Sequence, residues 1–203
     1  MKPQLIEHLD KARDTVTEVD QIVSSRDYPC DIRTVMVRGL LSTMIEHHRS
    51  LLQLIKSAAV GSSLALARDI IKGLRYGLWI NACATPEQIL QIKETDEFPL
   101  SFPEMIKEID AAYNADTFFE GLKNRWGSQL YRYSRSEIVR LGQWHIDSRF
   151  GLAHDDEEIR DLTTTATLCI VLLAAEFLAR QDYGVECKRV EALGAITSSS
   201  SHS

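Results

Sequence analysis

The sequence predicts an all-α fold, a helical bundle built around a long antiparallel helix pair. Three observations lead there. Apolar residues recur at steps of three and four along most of the chain, no stretch alternates with period two between hairpin turns, and capping residues recur at helical intervals.

The elements follow in order. A first helix spans about 3 to 24 and is broken near Pro29. The second, about 31 to 58, sets Val37, Leu41, Met44, His48, Leu51 and Ile55 at alternating steps of four and three, which is a bundle seam with one histidine in it. Gly61-Ser62-Ser63 reads as a short connection, so the third helix, about 63 to 84, folds back antiparallel on the second.

Thr85-Pro86-Glu87-Gln88 and Ser101-Phe102-Pro103-Glu104 each place a hydroxyl three residues ahead of Gln or Glu with proline in the first turn, so each reads as a helix start. KETDEFPLSF between them reads as a polar loop. Helices are expected over about 103 to 113, 115 to 124 and, from a capping pair at Ser134 and Glu137, about 135 to 147. Asp155-Asp156-Glu157-Glu158 suits the positive end of a long last helix, about 155 to 182. The close, AITSSSSHS, has little apolar surface to bury, which gives one domain over 1–193 and a disordered tail over 194–203.

Composition narrows the function. With 44% hydrophobic and 26% charged residues the chain is that of an ordinary globular protein, and a net charge of −6 disfavours a surface that is basic throughout while permitting a local basic patch. Cys30, Cys83, Cys169 and Cys187 form no C-x-x-C pair and the N-terminus carries no apolar leader, which fits a cytoplasmic setting. The run ATLCIVLLAAEFLA is shorter than the roughly 20 residues of a bilayer span and reads as a buried helix, with no membrane role. The P-loop, dinucleotide and G-x-S-x-G frames are missing, and no cofactor is implied.

Three constellations carry chemistry. Arg140 and His145, in RLGQWHIDSRFGLAH, form an Arg-x4-His pair of the kind small helical ribonucleases use, and Arg149 and His154 repeat the spacing. Metal-free RNA cleavage needs a group that manages the 2′-hydroxyl proton and a fixed cation for the phosphorane-like transition state, roles suited to histidine and arginine. Two such spacings among 15 arginines and 6 histidines are within what composition alone produces, so geometry must decide. Residues five apart on a regular helix point about 140° apart, and the pair meets only where the helix ends, which Asp147, Ser148 and Gly151 permit. His154, across Gly151, reads as a residue flanking the last helix.

The second is RWGSQLYRYSR, where Arg125, Arg132 and Arg135 interleave with Trp126, Tyr131 and Tyr133, pairing cations for phosphates with rings for unstacked bases. From 123 to 149 there are six Lys or Arg against two Asp or Glu. The bland alternative packs the rings inward and leaves the arginines to solvent or to the acidic run at 155 to 158.

The third is Arg68, Lys72, Arg75 and Trp79, which fall on one face of the third helix and read either as an RNA-binding stripe with Arg68 and Arg75 or as a buried network in which Glu46 pairs with Arg68 or Arg75. His47 and His48 point about 100° apart and lack an H-x-x-x-H or E-x-x-H set, so no metal site is expected.

EHHRSLLQLIKSAAVGSSLALARDIIKGLRYGLWINACAT, residues 46 to 85, resembles an uncharacterised bacterial helical family in which a histidine-bearing helix, a Gly-Ser turn and an arginine-bearing helix ending in Gly-Leu-Trp recur. The likeness continues through FPEMIKEID, LYRYSR and the last helix, and the family is distantly similar to the HEPN class. That resemblance implies a homodimeric bundle that binds or cuts RNA without metal, in a phage-defence or toxin-antitoxin setting with a cognate antitoxin or regulator protein. One position departs: Tyr133-Ser134-Arg135 has arginine where the family pattern leads one to expect histidine. The rival expectation is a non-catalytic helical interaction module. A small-molecule-binding helical regulator is a third.

Overall fold

The computed structural model describes residues 2–113 and 156–199. Among these residues there are seven helices and no strand. They are α1 (Pro3–Ser24), α2 (Ile32–Lys56), α3 (Val60–Ala82), α4 (Pro86–Thr95), α5 (Phe102–Ala112), α6 (Asp156–Arg180) and α7 (Gly184–Ser199).

Beyond its charged first turns, helix α6 is apolar on most sides and occupies the centre. Its length and mean hydropathy of 1.9 match a bilayer span by composition, yet 78% of that window is buried inside the protein, as expected of a core helix. α1, α2, α3 and α7 pack around it, α5 rests on α3, and α4 touches α2.

Cross-helix contacts fix the directions. Lys2 with Asp156 and His8 with Thr163 make α1 parallel to α6. His48 with Thr167 and Thr34 with Gln181 make α2 antiparallel to it, and Asn81 bonding the Glu176 carbonyl at the far end makes α3 parallel. The expected antiparallel α2–α3 pair is therefore present, and close approach is built into it. A Cβ on Gly73 would lie 2.7 Å from Met44 Cγ, and one on Gly77 would overlap Leu173 of α6.

Helix ends use local chemistry. Asp31 caps α2 by accepting from Thr34 N (3.1 Å) and Thr34 Oγ1 (2.6 Å). Thr85–Gln88 and Ser101–Glu104 form the two expected capping boxes. The C-terminus of α3 is capped from another helix: the Arg33 guanidinium donates to the Ile80 carbonyl and, at 2.6 Å, to the Ala84 carbonyl.

Three boundaries differ from the sequence reading. The α2–α3 turn is Ser57-Ala58-Ala59, and Gly61, Ser62 and Ser63 already lie in α3. Ala58 takes a left-handed φ of 61°, while the Ala59 and Ala58 amides bond the Leu54 and Ile55 carbonyls, so a non-glycine residue closes the helix. Replacing Ala58 by glycine removes the Cβ strain of that conformation. Ala58→Gly should raise unfolding free energy by about 1 kcal/mol in urea titration. No gain would mean that the Ala58 backbone is not held left-handed.

The connection expected over KETDEFPLSF is shortened, since α4 continues to Thr95, and Phe98 and Leu100 of that stretch pack against the core. The tail boundary also moves. α7 runs to Ser199, and Gly194, placed at the start of the expected tail, is buried where an added Cβ would lie 2.9 Å from Val171 Cγ1. Contact with α6 carries the helix beyond 193. The expected helices over about 115 to 124 and 135 to 147 lie outside the described residues.

Candidate functional site

The cationic stripe on α3 does not form one solvent face. Lys72 is exposed, with Nζ 5.9 Å from the Tyr76 ring centroid. Tyr76 in turn stacks on Phe98 at 3.8 Å with an interplanar angle of 11°. Phe98 thereby covers one face of that ring. Arg68 is half-buried. Arg75 is half-buried beside Cys169 and Tyr76, and burial holds its guanidinium below the ordinary arginine value.

Trp79, which the spacing placed on the same stripe, is fully buried and donates Nε1–H to Glu108 Oε2 at 2.6 Å. The stripe bends inward because α5 and the Phe98 connection cover the C-terminal half of α3. Among the described residues Glu46 is exposed and joins neither Arg68 nor Arg75. The ion pairs of α2 run to α1 instead, from Arg49 to Asp20 (2.7 Å) and from Lys56 to Asp10 (3.0 Å). The exposed cations of α2 at Arg49 and Lys56 thus face α1, and the buried His48 of the seam faces α6.

His48 is fully buried and pairs with Thr167 Oγ1 at 2.9 Å. The Thr167 hydroxyl already donates to the Thr163 carbonyl (2.8 Å), so the imidazole must be the donor and carry its proton on Nε2. That leaves Nδ1 as a buried acceptor with no partner among the described residues. Burial, reinforced by Arg49, lowers the His48 pKa to about 3. His8 of α1 repeats the pattern one turn along: its Nε2 lies 2.9 Å from Thr163 Oγ1, and its pKa is lowered by burial and by Arg160. Neither ring is placed to exchange protons with a ligand.

Sequence reasoning missed the α6 side of these contacts. Thr163, Thr164, Thr165 and Thr167 are all buried, and the signal was available as four β-branched hydroxyls at the head of the apolar run of α6. A second missed group lies near the other end of α6, where Asn81, Tyr113 and Glu176 meet. Among the described residues no group of three or more His, Cys, Asp or Glu is placed to hold a metal ion. Cys30, Cys83, Cys169 and Cys187 are all unbridged, and burial pushes the Cys83 thiol up to about 11 and Cys169 up to about 12, which makes them poor nucleophiles.

Arg140 and His145, with Arg125, Arg132, Tyr133 and Arg135, lie outside the described residues, as do Arg149 and His154. Compared with known protein families, with curated proteins and with solved structures, the chain matches none.

Proposed function

We propose that this chain is a HEPN-like, all-α RNA-binding protein that cleaves RNA without a metal ion, acting as a cytoplasmic homodimer in a bacterial defence or toxin-antitoxin setting under the control of a cognate antitoxin or regulator. The observation that carries this reading is the basic-aromatic segment from 123 to 149, six cations against two acids in a chain of net charge −6. The bundle supports it indirectly. His8 and His48 are committed to threonine hydroxyls in the core, which leaves His47, His145, His154 and His202 for histidine chemistry, and of these His145 has Arg140 and the basic segment nearest it in sequence.

In this reading the His145 imidazole takes the proton from a ribose 2′-hydroxyl as the oxygen attacks the adjacent phosphorus; the P–O5′ bond breaks, and the departing 5′-oxygen takes up a proton from solvent to leave a 5′-hydroxyl and a 2′,3′-cyclic phosphate. Arg140 balances charge on the pentacoordinate centre, and Arg125, Arg132, Tyr133 and Arg135 hold the strand. Lys72 is the exposed member of the α3 stripe, whereas Arg68 and Arg75 are half-buried, so any part they take in RNA binding is expected to be the smaller.

Purified protein on total RNA in EDTA should yield fragments with 2′,3′-cyclic phosphate ends. His145→Ala and Arg140→Ala should each lower cleavage by a factor of about 100 or more with the fold intact, and His154→Ala should leave it unchanged. Light scattering at high micromolar concentration should give the mass of a dimer. Intact RNA with wild-type protein, or full activity in His145→Ala, would transfer the assignment to the rival reading, a non-catalytic interaction module.

A further inference from the structure

We draw no further inference here: the strongest candidate, the open groove along α1 lined by Glu7, Asp10, Asp14 and Glu18 with Leu193 of α7 at its edge, is an acidic cluster in which Asp10, Asp14 and Glu18 already pair with Arg13, Lys56 and Arg189, and no second feature among the described residues points to a ligand there.

Discussion

Trp79→Ala should cost about 3 to 5 kcal/mol of unfolding free energy, a large part of the 5 to 15 kcal/mol typical of a domain. The ring has no exposed surface, packs edge-on to Phe98 at 6.2 Å and joins α3 to α5 through Glu108. Truncation leaves a cavity bordered by helices that are themselves held by the core and cannot simply close on it. Trp79→Phe retains most of the apolar volume and leaves the Glu108 carboxylate to solvent, so it should cost only about 1 kcal/mol beyond the trimmed volume. Urea titrations followed by circular dichroism separate the two. A Trp79→Ala midpoint close to that of the parent would mean that α5 and the Phe98 connection do not close over α3.

Trp79 also shows how far periodicity can be read. The spacing Arg68, Lys72, Arg75, Trp79 identified one helical face correctly but not what covers it, because a face becomes interior only when another element lands on it. For α3 that element is α5 with Phe98 ahead of it, and its docking depends on long-range contacts such as Trp79 with Glu108. By contrast, the capping residues that open α4 and α5 were legible, since a capping box is a local interaction complete within four positions. The end of α2 was misplaced for the converse reason. Gly61 attracted the turn by its conformational freedom, and Ala58 adopted the left-handed conformation because the α2–α3 pairing outweighed its modest strain.

The seam of α2 was legible as apolar with one histidine, and the structure supplies the partner that sequence could not. Thr167 is 119 positions away, and a hydroxyl on an apolar helix gives no indication of which ring will reach it. The pair Glu46 with Arg68 or Arg75 was chosen because opposite charges on adjacent helices invite it. Exposed Glu46 has no burial to make such a pair worth forming, whereas His48 in the core must find a polar neighbour. The RNA-directed residues rest on the sequence pattern of 123 to 149, and their assignment stands or falls with the activity of His145→Ala and Arg140→Ala.

Acidification should weaken the bundle through its core histidines before most carboxylates titrate. In the unfolded chain His48 takes up a proton as pH falls below about 6.5, whereas in the folded protein burial holds its pKa at about 3. The unfolded state therefore binds the extra proton throughout that interval. The stabilisation by neutral His48 is complete above pH 6.5 and declines by about 1.4 kcal/mol per pH unit below it, or about 2 kcal/mol by pH 5. His8, lowered by burial and by Arg160, adds a slope of the same sign, while the raised Glu176 contributes one of opposite sign. The decisive comparison is accordingly between the parent and His48→Leu rather than the parent slope itself. The substitution leaves Thr167 bonded to the Thr163 carbonyl and orphans no hydroxyl. Urea midpoints between pH 5 and pH 7.5 should fall more steeply in the parent, by the contribution of one proton. Parallel curves would show that His48 is not held neutral in the folded protein, and that Thr167 is not the partner that excludes water from it.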